Sequence, residues 1–508
     1  MFSDIFAFTY EIPYLLTLLL IIPLVGAIAT LAMGGKRQKN AKYVAGVFSF
    51  VTMVLSVILM FTPDLSVYSE SYTWIETAGV KMSYILSVDG LSILMVFLTG
   101  VLVFLSTVFS ARESDKPHYF FALILAMEVG LMGVYMAGDY FLFYIMWEVT
   151  LIPMYFLISW FGGPRRHYAA IKFFIYTHVA SVVMLIGIFA IVFGAATGGI
   201  ADFSFEAVLA GSAAFGSTFQ VLVFGLLFFG FAVKMPIVPF HTWLPDAHTE
   251  APTAGSVLLA GVMLKMGSYG IIRVCLEVLP EGAQYWQPIM VFIGILAMIY
   301  GAYACIAQKD LKKMVAFSSI SHMGMVMIAM ACLSDIGIQF AIFQMFAHGL
   351  ISAVLFMVAG ATGHSVGTRE IPLLGGLAGK LPLLAAFMMF GFLASLGLPG
   401  LVGFWAEFGI IFGFYDYAVS VDMLWLVIFC LLSLLLTAGY YLWAMQRTMF
   451  GRLTTKIDLS HIHDLSRPEV IALGAVCALI ALFGLWPDLA LSYLEGYSSS
   501  LALTLGVI

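Results

Sequence analysis

Charge is scarce in this sequence. Asp, Glu, Lys and Arg make up 10% of 508 residues while 62% are hydrophobic, and the mean hydropathy is +1.05. A soluble domain is nearer one-quarter charged, so a water-soluble fold is excluded and a polytopic membrane protein in a lipid bilayer remains. Basic patches and acidic tails are lacking too, which removes nucleic acid as a partner. Cysteine is thin: Cys275, Cys305, Cys332, Cys430 and Cys477 stand far apart, in or beside apolar runs. No CxxC or His/Cys spacing offers a metal or iron–sulfur site, and no Gly-rich nucleotide fingerprint follows a strand-like run. The chain is expected to hold no metal, redox cofactor or nucleotide of its own. No Lys or Arg precedes Lys36, so Met1-Phe2-Ser3-Asp4 does not read as the basic start of a cleaved signal peptide. The first apolar run is expected to stay as a membrane helix.

What the sequence has instead is long apolar runs. About 20 apolar residues cross a bilayer as a helix, and that length predicts fourteen spans. They cover about 12–33, 41–61, 88–109, 118–136, 138–160, 168–196, 218–241, 253–277, 286–306, 310–332, 336–360, 382–412, 422–448 and 468–493. Only Ala137, Gly138 and Asp139 separate the fourth from the fifth. The loops after spans 1, 3, 5, 9, 11 and 13 carry seventeen of the 22 basic residues, Lys312 among them, while the opposite side carries Lys81 and Arg273. Basic loops face the cytoplasm, so an even number of spans is expected in the cell (inner) membrane, with both termini outside the cytoplasm.

The expected fold is therefore all-α, with two broken spans. Span 7 contains Lys234-Met235-Pro236-Ile237-Val238-Pro239, and span 12 contains Gly397-Leu398-Pro399-Gly400. Proline removes a backbone donor and clashes with the preceding turn. Broken helices at matching places in two halves point to a transporter built from inverted repeats. The expected single transmembrane domain comprises N-terminal helices in 1–117, a five-helix repeat in 118–277, its inverted copy in 286–448, and a C-terminal helix within 449–508. Each five-helix unit is odd in number, so the second copy is inverted, and the broken helix is fourth in each.

Into these spans fall titratable side chains. Glu148, Lys234, Lys265, His322, His348 and Glu407 each interrupt a different apolar run. A charge at mid-membrane costs at least about 2.5–3.5 kcal/mol and marks ion or proton pathways. Glu148 and Lys234 are expected to pair, because a carboxylate and an amine that alter their separation load and release a proton. A static packing pair is the plainer alternative, but buried pairs stabilise poorly. Lys265, His322, His348 and Glu407 read as a relay, with histidine suited to proton exchange. Glu128 and His178 either join a water chain or bond a neighbour. Lys172, near a span end, has room to snorkel. His241, Asp246 and His248, at the end of span 7, are expected to gate proton entry; two histidines and one carboxylate make a poor metal set.

The same residues carry a family resemblance. Trp147-Glu148, Lys234-Met235-Pro236, Phe240-His241-Thr242-Trp243-Leu244-Pro245-Asp246-Ala247-His248, Glu250-Ala251-Pro252-Thr253 and Leu264-Lys265-Met266-Gly267 resemble the antiporter-like membrane subunits of respiratory complex I, NADH:quinone oxidoreductase. Glu407, where sister branches usually have lysine, and the absence of a long helix after span 14 set the chain nearest the M branch. The resemblance covers roughly spans 3–13. It implies a proton-translocating, non-redox subunit of a translocase, driven by electron transfer in partner membrane subunits of a complex I-like assembly. It implies Glu148 and Lys234 as coupling pair, Lys265, His322 and His348 as relay, and Glu407 as exit group.

Three other readings are weighed against this one. A subunit of a multi-subunit Na⁺/H⁺ antiporter, or of a related F420H2 dehydrogenase or membrane-bound hydrogenase, uses the same residue types. An enzyme acting on lipid-linked substrates needs acidic or histidine clusters in long surface loops, and the longest loops, about 62–87 and 197–217, lack them. A pure scaffold has no use for six buried ionisable groups.

Overall fold

The computed structural model describes residues 12–62, 64–113 and 115–506. The Met1–Asp4 segment lies outside the described residues. Among them the chain is overwhelmingly helical. In order the helices are α1 Leu15–Leu31, α2 Ala41–Met60, α3 Ile93–Phe109, α4 Pro117–Met136, α5 Tyr140–Phe161, α6 Arg166–Gly194, α7 Phe205–Ser212, α8 Ser217–Lys234, α9 Trp243–Glu250, α10 Thr253–Leu276, α11 Pro280–Ile306, α12 Leu311–Ala331, α13 Asp335–Val366, α14 Pro382–Ser395, α15 Val402–Ser420, α16 Val427–Thr448, α17 Arg467–Leu485 and α18 Asp488–Thr504. Eleven helical segments among the described residues are long and apolar enough to cross a membrane, and α1, α3 and α14 are shorter apolar helices.

The thin boundary between the fourth and fifth spans is real. Asp139 accepts the Phe141 and Leu142 N–H groups and so caps α5. Its other oxygen accepts the Ser83 N–H. Both expected breaks are present. Helix α8 ends at Lys234 and resumes as α9 at Trp243, and α14 ends at Ser395 and resumes as α15 at Val402. The Trp243 indole donates to the Val233 carbonyl across the first break, 3.0 Å. That bond occupies an acceptor at the end of α8.

Three features depart from the expectation. The two longest loops are not bare. They hold an antiparallel hairpin, β1 Glu70–Thr77 and β2 Val80–Leu86, joined in parallel by the short β3 Ala201–Asp202 and followed by α7. Apolar run length is blind to such short amphipathic elements. Span 14 is two helices: Trp486-Pro487 ends α17, and α18 runs on to Thr504, tied down by Tyr497 on Glu277, Tyr493 on the Met60 carbonyl, and Ser499 on Asp335 at 3.0 Å. Lys312, counted above with the basic loop before span 10, is 1% exposed inside α12, and its ammonium donates to the Ala251 carbonyl at the end of α9.

The buried centre of the bundle is α10, α12 and α13, whose apolar stretches are 94–100% enclosed by other helices, whereas α2 and α16 are one-third enclosed. Apolar side chains such as Ile171, Val179 and Ile186 on α6, and Phe292 on α11, point outward, as a lipid-facing surface requires.

Candidate functional site

The six principal candidates fall into two groups within the bundle. The larger one runs through its enclosed centre. Helix α10 is wound wide at Leu259–Met263, a π-type turn that recurs at functional sites. The Ala260 carbonyl in that turn accepts the Lys265 ammonium. Lys265 also meets His348 Nδ1 on α13 at 2.8 Å. Glycine permits this meeting: a Cβ on Gly349 would come 2.8 Å from the Gly261 carbonyl, so only hydrogen fits between α10 and α13 one residue beyond His348.

The His348 ring lies 5.3 Å, centre to centre, from the His322 ring of α12. His322 Nδ1 faces the Ser318 carbonyl at 2.8 Å; Nε2 faces the Ser395 carbonyl at 3.3 Å and Glu407 Oε1 at 3.4 Å. Lys265, His348, His322 and Glu407 are all under 5% exposed. The break between α14 and α15 makes room for Glu407. Gly397 has φ +75°, and a Cβ there would sit 2.5 Å from Glu407 Oε2.

Hydrogen-bond chemistry fixes what this row can do. A carbonyl only accepts, so His322 Nδ1 carries hydrogen. The next proton has two homes. On Nε2 it leaves an imidazolium that also donates towards the Ser395 carbonyl, beside a carboxylate; on Glu407 it leaves a neutral acid donating to a bare Nε2, and the Ser395 contact is given up. Lys265 and His348 form a similar couple: an ammonium donates to bare Nδ1, or a neutral amine accepts from Nδ1–H. Two couples, each able to hold one proton at either member, stand end to end with the two imidazoles adjacent.

The second group lies nearer the bundle surface. Glu148 on α5 meets His178 Nδ1 on α6 at 3.0 Å and accepts the Ser181 hydroxyl. Lys234, 1% exposed, has no hydrogen-bond partner among the described residues. Its ammonium lies 5.4 Å from the centre of the Trp147 ring and 5.8 Å from that of Phe173, contacts worth about 2 kcal/mol when desolvated. The expected Glu148–Lys234 ion pair is therefore not closed in this structure. Trp147, one residue before Glu148, carries an aromatic face to Lys234, while the Glu148 carboxylate turns to α6. Glu148 and His178 side chains are 23% and 44% exposed.

The remaining candidates separate. Asp246 pairs with Lys172 at 2.7 Å and approaches Arg165 at 3.7 Å, so Lys172 is engaged rather than snorkelling. His248 is fully buried, stacked on Phe356 at 4.3 Å, with neither ring nitrogen bonded among the described residues. His241 packs edge-on to Tyr300 at 4.9 Å. Glu128 is fully buried and, among the described residues, both its oxygens are unpartnered and it joins neither group by a hydrogen bond. Among the described residues no group of three metal-ligating side chains converges. A cavity of about 810 Å³ opens among the basic loops, its wall including Glu250, Thr253, Lys312, His364 and Arg369. A second, of about 300 Å³, lies among Asp89, Tyr140, Tyr269, Arg273 and Glu277. Arg273 there bonds Asp89 at 2.6 Å and Glu277 at 3.0 Å. Lys312 and Arg273 enter the sequence reading only as basic residues that set orientation, and Ser181 does not enter it; their apolar neighbours and helical positions were the available signal.

Residues 137–437 match the family described as NADH:quinone oxidoreductase/Mrp antiporter, TM. The chain is 39% identical over 502 residues to the F(420)H(2) dehydrogenase subunit M of Methanosarcina mazei, covering 97% of this chain and 99% of that protein. It is 36% identical over 491 residues to the NADH-quinone oxidoreductase subunit M of Rickettsia typhi, covering 94% and 96%. In structure it resembles a chain of respiratory complex I from Thermus thermophilus with bound NADH, with a TM-score of 0.87, 28% identity and 97% and 100% coverage. A chain of the Mrp complex from Dietzia sp. shares the fold, with a TM-score of 0.82, 21% identity and 96% coverage of both chains.

Proposed function

The chain belongs to the NADH:quinone oxidoreductase/Mrp antiporter transmembrane family, and we propose that it is a proton-translocating membrane-arm subunit, driven by electron transfer in other subunits of a respiratory complex. The observation that carries this reading is the enclosed row Lys265–His348–His322–Glu407, in which Lys265 meets His348 at 2.8 Å, the two imidazole rings lie 5.3 Å apart and Glu407 approaches His322 at 3.4 Å. A static role leaves such a row unexplained, since buried ion pairs are poor stabilisers. Moving one charge against the membrane potential takes about 2.3 kcal/mol per 100 mV, within the range of a buried pair opening and closing.

On this reading Glu148, Lys234, Lys265, His322, His348 and Glu407 move the proton. Glu148 with His178 and Ser181 receives the driving signal, and Lys234 answers it through the Trp147 face. His241, Asp246 and His248 line the approach from the basic loops, and Glu128 has no assigned step. The chain itself supplies no redox centre, and both termini face away from the cytoplasm. Helices within 118–277 and 286–448 act as two inverted units. The partner is a neighbouring membrane subunit. A carboxylate and an imidazole open on the side of α5 and α6 suit a protein neighbour rather than lipid tails.

The test uses the assembled complex in membrane vesicles, with proton uptake and electron transfer measured together. Glu148→Gln, Lys234→Ala and Glu407→Gln are each expected to abolish proton transfer through this subunit while assembly on native gels persists. Normal proton-to-electron ratios in all three, or transport that follows Na⁺ rather than H⁺, overturn the proposal.

A further inference from the structure

We propose that Tyr441 is a positioning residue whose hydroxyl sets the separation of His322 and Glu407; this rests on the proton-transfer reading above. His322 is held by two carbonyls from two helices: Ser318, one turn earlier on α12, and Ser395, the last residue of α14 before the break. The side chains of those same two serines are joined to each other through Tyr441 of α16. The Ser395 hydroxyl bonds the Tyr441 hydroxyl at 2.9 Å, and the Tyr441 hydroxyl donates to the Ser318 oxygen at 3.0 Å. His322, Ser318, Tyr441 and Ser395 thus close a ring spanning three helices and the edge of the break.

Direction within that ring separates positioning from conduction. The Ser318 hydroxyl donates onward to the Val315 carbonyl, 2.8 Å. A carbonyl has no proton to give, so Ser318 must receive from Tyr441 and Tyr441 from Ser395. Every hydroxyl hydrogen in the ring is committed away from His322, and none is aimed at Glu407. The ring therefore passes no proton to the row. It braces the end of α14 against α12, and the end of α14 is where Gly397 seats Glu407. Tyr441 is fully buried, packed on Phe392 at 4.7 Å between ring centres, so its phenyl ring has a packing role that Phe retains. The hydroxyl is the part left for the brace.

Tyr441→Phe removes the bridge and keeps the ring. The hydroxyl makes two neutral hydrogen bonds, and the loss of even one shifts a two-state population about fivefold, so proton transfer through this subunit is expected to fall at least about fivefold, with assembly intact. The variant leaves the Ser395 hydroxyl buried without a partner, and Tyr441→Phe/Ser395→Ala removes that orphan. Thermal stability is expected to recover in the double variant while proton transfer stays low. Recovery of transfer together with stability overturns the proposal, because only packing was then at stake. If Tyr441→Phe does not assemble, Ser318→Ala, which cuts the bridge and leaves every ring in place, is expected to show the same loss, and normal transfer in it overturns the proposal. Glu407→Gln serves as the reference: normal pumping there defeats the underlying function, whereas loss there with normal pumping in Tyr441→Phe defeats this inference alone.

Discussion

Gly397→Ala isolates the Glu407 seat. The residue holds φ +75°, where an L side chain costs about 1–2 kcal/mol. The new methyl would also meet Glu407 Oε2 at 2.5 Å. Restoring a tolerable 3.4 Å contact requires the carboxylate to retreat by about 0.9 Å. Oε1, on the same carbon, moves with it, and its 3.4 Å approach to His322 Nε2 is already at the outer limit of a hydrogen bond. Gly400→Ala is the matched control. It carries a similar backbone penalty at φ +91°, yet the nearest atom to its Cβ is Leu485 Cδ2 at 4.0 Å. Both variants are expected to lose about 1–2 kcal/mol of stability, read as a lower thermal unfolding midpoint of the detergent-solubilised complex. Only Gly397→Ala is expected to lose proton pumping as well, read as fluorescent-dye quenching in vesicles against electron transfer in the same preparation. Equal pumping in the two variants would refute the link between the break and the Glu407–His322 contact.

Trp243→Phe leaves the buried Val233 carbonyl without the indole donor, a loss of about 1–3 kcal/mol; amide hydrogen exchange across 231–243 is expected to quicken, and unchanged exchange counts against the clamp. The sheet offers a pH test outside the membrane. Burial works against the Asp202 carboxylate, but the Lys81 ammonium and the Ser204 N–H outweigh it and hold it below its ordinary 3.8, while the bond to Asp202 raises Lys81 above its ordinary 10.5. A depressed acid stabilises the fold above its unfolded value and loses that as pH falls through the folded one; a raised amine stabilises below its unfolded value and loses that as pH rises through the folded one. The hydrogen-exchange protection factors of β2 and β3, taken relative to the base-catalysed intrinsic rate, are therefore expected to be flat between about pH 5 and 9. Asp202→Asn is expected to lower these protection factors throughout that window, and a change in the wild-type protection factors centred near pH 7 sinks the assignment.

The span layout was legible because the bilayer imposes it. Apolar run length locates the membrane helices, and the proline and glycine clusters at 235–239 and 397–400 mark both interruptions, since each removes a donor or frees φ at a definite place. Short elements escaped the same logic. The 70–86 hairpin and α7 are too short for a hydropathy signal, and Trp486-Pro487, a third interruption, lay hidden inside an apolar run. Lys312 shows the limit of counting charges by loop. Sequence position put it at a membrane edge, while tertiary packing of α9 against α12 buried it.

Side-chain partnership is the part that linear sequence withholds. Glu148 and Lys234 are the most prominent opposite charges in the first half, so pairing them is the natural inference. Yet a helix presents a new face every residue, and one step along α5 decides whether α8 meets a carboxylate or an indole. Here Trp147 meets Lys234, and Glu148 turns to His178 and Ser181. The consequence is mechanistic rather than cosmetic. An ammonium over an aromatic face keeps part of its electrostatic support without a counter-charge in contact, while the carboxylate is retained by two hydrogen bonds of its own. Closing the Glu148–Lys234 pair then means exchanging one set of favourable contacts for another. On the proposed proton-translocating role, such an exchange is the step by which a signal from a neighbouring subunit moves a buried charge, since trading one set of contacts for another costs less than the full desolvation of an isolated ion.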